Sequence, residues 1–256
     1  MDYAAALIDE TRAFGALIRA GDPALAVPSC PEWNLTQLFR HVGRGNRWAA
    51  QIVADRMDGP LDPRDVVDGK PPADPDAAID WLHDGAQRVL DAVAQTGPDT
   101  PVWTFLGPRP SSWWVRRRLH EGAVHRADAV LAVSGGLGDF SLSSELAADG
   151  IAEWLDLVVP RLGSTGHALP LADGNSVHLH ATDEGLGSVG EWTISRPAGT
   201  SELVWSHEHG KGSVALRGSA RDLLLVIMRR VAVADTDVAV FGDDAVWQNW
   251  VDRTAF

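Results

Sequence analysis

The sequence predicts an α + α/β protein, with an N-terminal up-and-down four-helix bundle over residues 1–162 and a small α+β C-terminal domain over residues 163–256. Three observations carry this expectation. Apolar residues recur at helical spacing in long segments through the first part of the chain; short segments of alternating apolar and polar residues follow; clusters of Gly, Pro and Asp separate the segments. No internal repeat or low-complexity tract interrupts the pattern.

Residues 3–20 carry Leu7, Ile8, Phe14, Leu17 and Ile18 on one helical face, and Gly21-Asp22-Pro23 closes the run. A proline-rich connector leads from Val27 to Asn34, a favourable N-cap with Gln37 three residues on. The second helix, extending to residue 57, turns Leu35, Leu38, His41, Val42, Gly45, Trp48, Ala49 and Ile52 inward. Residues 59–75, rich in Pro, Asp and Gly, form a surface loop. The third helix, over 76–95, shows Ile79, Leu82, Ala86, Val89 and Val93 on one side and ends at Gly97-Pro98. A short apolar loop over 101–110 precedes a fourth helix over 111–133, closed by Gly135-Gly136. A fifth, over 143–159, carries Leu146, Ile151, Trp154, Leu155 and Val158 and is expected to stop at Pro160.

Strands follow at 176–181, 191–195, 202–206 and 213–216, then a Leu- and Ile-rich helix over 219–230, a strand over 238–241 and a terminal helix over 243–252. His178 with His180, and His207 with His209, are His-x-His pairs whose side chains fall on one side of an extended strand, a spacing able to bind a metal. They are read as exposed strand and turn residues, outside the expected site.

The formal net charge of −13 excludes the basic stripe that nucleic acid requires and disfavours an anionic membrane surface. The N-terminus lacks a basic, then apolar, leader, and no apolar run is long enough to span a bilayer, so a cytoplasmic protein is expected. A single cysteine, Cys30, excludes an internal disulfide; between Ser29 and Pro31 it is read as a small structural residue. Thiol chemistry would therefore draw its thiol from outside the chain.

The stretch richest in chemistry runs from Arg116 to Asp128: Arg-Arg-Arg-Leu-His-Glu-Gly-Ala-Val-His-Arg-Ala-Asp. Helical residues four apart lie about 40° from one another, so Glu121 and His125 can offer a carboxylate and an imidazole to one point. His120 and His125 are five apart and point away from each other, which excludes the metalloprotease pattern. His41, within an otherwise apolar inward lane, is the third candidate ligand, because a buried imidazole needs a polar partner or a metal; a hydrogen-bonded core histidine is the alternative. Two histidines and one carboxylate leave a fourth position open, as in catalytic zinc sites. Asp128 is placed to orient the His125 ring, and His83 is the one candidate for a fourth ligand that would close the site. Arg116, Arg117, Arg118 and Arg126 form either a solvated basic face or a clamp for substrate carboxylates. Trp103, Trp113 and Trp114 either line a pocket near the metal or pack loop against helix.

Pro31-Glu32-Trp33-Asn34, His41-Val42 and Trp48, taken with Arg117-Arg118, Glu121, His125, Arg126 and Asp128, resemble the mycothiol-dependent maleylpyruvate isomerase family. Leu216-Arg217-Gly218-Ser219-Ala220-Arg221-Asp222-Leu223-Leu224-Leu225 and Val240-Phe241-Gly242-Asp243 resemble that family's C-terminal domain. The resemblance implies a DinB-like bundle with zinc on His41, Glu121 and His125, and mycothiol as the thiol activated at the open position. It further implies addition of the thiolate to a conjugated cis double bond, rotation about the resulting single bond, and elimination to the trans product. The same site could S-conjugate a small electrophile. Arg117 and Arg217 are then expected to hold the substrate, and Arg118 and Trp48 the thiol cofactor; Arg217 could equally do no more than end a strand. A monomer or homodimer is expected. Two other functions stay open: a zinc hydrolase that activates water, and a non-catalytic metal- or thiol-binding protein.

Overall fold

Asp2, Asn34 and Asp74 each accept hydrogen bonds from backbone N–H groups of the turn that follows, and so set where three of the first four helices begin. The computed structural model describes residues 1–164 and 168–254. The first helices are α1 (Tyr3–Ala20), α2 (Leu35–Ala54), α3 (Pro75–Thr96) and α4 (Trp113–Ser134). At the start of α2, Asn34 and Gln37 exchange hydrogen bonds in the expected capping box. Gly97 (φ 97°) and Gly135 (φ 71°) end α3 and α4 in backbone conformations that a side chain would strain. In the resulting four-helix bundle, α1 packs on α4 and α3, and α2 packs on α3 and α4. Phe14, Leu35, Leu38, Val42, Ile79 and Leu82 share its core.

Two connectors expected to be irregular are hairpins. Strands β1 (Ala26–Val27) and β2 (Cys30–Asn34) pair antiparallel, as do β3 (Pro101–Val102) and β4 (Arg109–Pro110). Their prolines hid them, yet a two-stranded ribbon leaves outward edges where a missing N–H costs no ladder bond. The loop over 55–74 is held to the bundle by two indoles: Trp48 Nε1 donates to the Leu61 carbonyl (2.8 Å) and Trp81 Nε1 to that of Asp68 (2.7 Å).

Contacts divide the chain into two compact units, Met1–Phe140 and Ser141–Phe256. The boundary expected at 162/163 therefore moves, and α5 (Ser144–Ser164) belongs to the second unit. Ala147, Ile151, Trp154 and Leu155 of α5 share one core with Val177, Leu179, Trp192, Ile194 and Leu223. Helical periodicity shows that α5 has an apolar face; it does not show which core receives it. Nor does Pro160 stop α5, which carries the proline inside it and runs on to Ser164. Of the expected second domain, residues 165–167 and 255–256 lie outside the described residues.

The second unit holds β5 (Ser176–Ala181), β6 (Glu191–Ser195), β7 (Val204–Ser206), β8 (Val214–Gly218), α6 (Ala220–Ile227), β9 (Ala239–Gly242) and α7 (Asp244–Arg253). The five strands form one sheet in the order β7-β6-β5-β8-β9, parallel only between β5 and β8. Val177, Leu179, Trp192, Ile194, Val214 and Leu216 are fully buried on one face. Strand alternation sends His178, His180, Glu191 and Thr193 to the other. Among the described residues, no helix is long and apolar enough to cross a membrane.

Candidate metal centre

His41 on α2 and Glu121 and His125 on α4 come together where the β1–β2 hairpin packs against both helices. One ligand atom from each of the three lies within 4.8 Å of the others. His41 Nε2 is 3.0 Å from Glu121 Oε1, and the two imidazole rings stand 4.9 Å apart, nearly perpendicular. Rings so disposed meet edge to face and do not stack.

Two of the three are held by a further group. His125 Nδ1 donates to Asp128 Oδ2 (2.8 Å), which leaves Nε2 as the lone pair facing the cluster. Asp128 is fully buried, and the Ser29 hydroxyl, from the hairpin turn, donates to its other oxygen (2.6 Å). Glu121 Oε2 accepts from Arg118 (2.7 Å) and Arg117 (3.2 Å). Burial pushes the Glu121 carboxyl up, but Arg118, the hydrogen bond with His41 and Arg117 together outweigh it and hold the group well below the usual carboxylate range. Burial lowers the pKa of His41, and His125 and Arg118 add to the effect against the pull of Glu121. Near pH 7 the cluster is thus a carboxylate with a neutral His41, the protonation state a divalent metal needs.

The donor set fits a zinc-type ion: two imidazoles, that of His125 with its tautomer fixed by Asp128, and one ionised carboxylate, with no fourth protein ligand in the cluster among the described residues. His83, the candidate for closing it, is elsewhere, its Nε2 lying against Gly15 of α1. His41 was expected to be buried, yet a third of its side chain (33%) is exposed, which leaves the cluster a solvent-facing side.

The structure redistributes several expected roles. Arg118 is buried with its guanidinium bonded to Asn46 Oδ1 (2.9 Å), the Val42 carbonyl (3.3 Å) and Glu121; it positions the carboxylate and has no surface to offer a cofactor. Gly45 makes room for it, since a Cβ there would fall 2.6 Å from an Arg118 nitrogen. Trp48 lies two helical turns beyond His41, about 10 Å along the axis. It packs among Trp103, Phe105 and Trp114, with its indole N–H committed to the loop. The tryptophan against the ligands is Trp33 on β2, 4.8 Å from the His41 ring and 6.2 Å from that of His125. Sequence reasoning placed Trp33 in the resembling motif without giving it a role, and nothing in the spacing signals the Ser29–Asp128 bond across 99 residues. Arg117 sits beside Glu121, whereas Arg217 is exposed on β8 of the second unit, in register with His180.

A four-helix bundle that brings together two imidazoles and a carboxylate, followed by a unit with a five-stranded sheet, defines a class of two-domain proteins with a histidine–glutamate cluster in the bundle. The family model described as Mycothiol maleylpyruvate isomerase N-terminal domain matches residues 4–130, and the MDMPI C-terminal domain matches residues 145–249. The chain belongs to this mycothiol maleylpyruvate isomerase family. Two solved structures share its fold: a mycothiol-dependent maleylpyruvate isomerase (TM-score 0.59) and a histidine-to-alanine mutant of the mycothiol-dependent maleylpyruvate isomerase (TM-score 0.60). Each is 16% identical over 93% of this chain and 91% of that one. Among curated proteins none matches the sequence.

Proposed function

We propose that this chain is a metal- and mycothiol-dependent enzyme that isomerises, or S-conjugates, a small electrophilic and anionic substrate. The observation that carries the proposal is the convergence of His41, Glu121 and His125 with one side exposed; membership of the family names the thiol. His41, Glu121 and His125 would hold a divalent metal such as zinc. When bound there, the metal would depress the pKa of an incoming thiol so that it is a thiolate at neutral pH.

The chain's own residues do the rest. Asp128 fixes the His125 tautomer, and Ser29 fixes Asp128. Arg118 holds Glu121 ionised and in place from a fully bonded, buried position. Arg117, on the same carboxylate, is the arginine proposed to meet a substrate carboxylate. Trp33 covers the two imidazoles and excludes water from that side. No thiol of the chain lies in the cluster, so the nucleophile enters as a small molecule.

The test is zinc content and calorimetric titration with mycothiol, on the wild type and on Glu121→Ala, followed by turnover of a cis-maleylpyruvate-type substrate with and without the thiol. The expected result is loss of one zinc equivalent and of thiol binding in Glu121→Ala, with turnover that requires mycothiol. Hydrolytic cleavage of the substrate without thiol would make the protein a hydrolase, and metal without thiol binding or turnover would make the cluster a structural staple.

A further inference from the structure

We propose a second metal site, in the C-terminal unit, formed by His178, His180, Glu191 and His209 and selective for a zinc-type divalent ion. These are the histidines read from sequence as exposed strand and turn residues; the structure corrects that for His178, which is only 4% exposed, while His209 is indeed exposed. The site is independent of the His41 cluster and would stand if that cluster bound nothing.

The sheet assembles it. His178 and His180 are two apart on β5 and share a face, and in the antiparallel register β6 places Thr193 opposite His178 and Glu191 opposite His180. His209, from the connection between β7 and β8, comes over that face with Nδ1 2.6 Å from Glu191 Oε2. One ligand atom from each of the four lies within 4.8 Å of the others. The three imidazoles meet pairwise at 5.9 to 6.2 Å between centroids and 82° to 89° between planes, edge to face and unstacked.

The decisive detail is the tautomer of His178. Thr193 has one hydroxyl proton and donates it to the Glu208 carbonyl (2.9 Å), so the same oxygen accepts from His178 Nδ1–H (3.0 Å). In the neutral ring Nε2 is then a bare lone pair. It is buried, has no hydrogen-bond partner, and lies 3.2 Å from Glu191 Oε2. A nitrogen lone pair facing a carboxylate oxygen at that distance is repulsive, and either a proton on Nε2, which makes an imidazolium–carboxylate pair, or a metal ion bound by both atoms relieves it. Ligand atoms around a tetrahedral zinc sit about 3.3 Å apart, given bonds of about 2.0–2.1 Å, and this pair already has that separation. A hydrogen bond that fixes the far ring nitrogen is also how metal-ligating histidines are oriented.

Three imidazoles and a carboxylate select zinc, cobalt or nickel over the oxygen-seeking calcium and magnesium. Four protein ligands complete a tetrahedron and leave no open position, so the ion would tie the connection carrying His209 to the sheet and would not activate a small molecule.

The test uses the full chain in four forms: wild type, His41→Ala, His180→Ala/His209→Ala, and the combination of all three. Zinc is counted by mass spectrometry after dialysis, and cobalt(II) is followed by its visible absorption. The expected result is two, one, one and no equivalents, with a tetrahedral cobalt spectrum that persists in His41→Ala and vanishes in the triple variant. His209→Ala alone, which removes an exposed side chain, should weaken the remaining site of His41→Ala at least tenfold without unfolding it. One equivalent in the wild type and none in His41→Ala would overturn the site, leaving a hydrogen-bonded His209–Glu191 pair. One equivalent in both, lost with His180 and His209, would instead refute the His41 cluster and support this one.

Discussion

Asp128 acts on the His41, Glu121 and His125 cluster through His125. It is fully buried, accepts from Ser29 and from His125, and by doing so decides which imidazole nitrogen faces His41 and Glu121. Asp128→Asn keeps the volume but removes the charge, so zinc affinity at this cluster should fall about 10–100-fold with the fold unchanged, measured by competition with a chromophoric chelator. An unchanged affinity would mean that the His125 ring is held by packing alone. His83 gives a second prediction. Burial, with the charges of Arg12 and Arg19 outweighing Asp80, lowers its pKa below the ordinary 6.5, and its Nε2 is buried without a hydrogen-bond partner. The fold therefore prefers the neutral ring, and the unfolded chain binds the proton more readily. That contribution to stability is complete above pH 6.5 and is lost as pH falls from there through the lower folded value. Denaturant midpoints across that range should decline in the wild type and decline less in His83→Gln; parallel curves would remove His83 from the account.

Helices α2 and α4 meet through an arginine. Arg118 crosses from α4 to Asn46 and the Val42 carbonyl of α2, and it can do so because Gly45 presents no side chain. Gly45→Ala should displace the guanidinium and with it the Glu121 carboxylate. A drop in zinc affinity of about tenfold is expected, in the range of other changes that disturb a ligand's support. Gly45→Ala with wild-type zinc binding would show that Arg118 has another way to reach Glu121. The helices themselves were legible in sequence because their apolar periodicity and caps are local: the Asn34–Gln37 box is written in four residues. The β1–β2 hairpin was not, because its pairing sets Ala26 against Asn34 across a proline-containing turn and leaves no alternating pattern to read.

At the scale of the whole molecule the chain has two cores, and α5 belongs to the second. Leu155, fully buried on α5, tests this. Leu155→Ala should destabilise the C-terminal unit by about 2–5 kcal/mol through the cavity it leaves. Zinc bound by His41, Glu121 and His125 should be unaffected. Loss of that zinc together with the C-terminal transition would show the two units unfolding as one.

Local chemistry in the sequence determined the helices and the strands of the five-stranded sheet, the pairing of Glu121 with His125 at one helical step, and the placement of Asp128 to orient that histidine. It also carried the family, since the motif residues are contiguous or helically spaced. Tertiary structure decided what depends on segments far apart in the chain. Ser29 reaches Asp128, Trp33 covers the two imidazoles, Arg118 is consumed by α2, and α5 joins the sheet. The histidines of β5 show the difference most plainly. Their spacing is common on exposed strands, and only the register of β6, which brings Thr193 and Glu191 to face them, sets the His178 ring between a hydroxyl and a carboxylate.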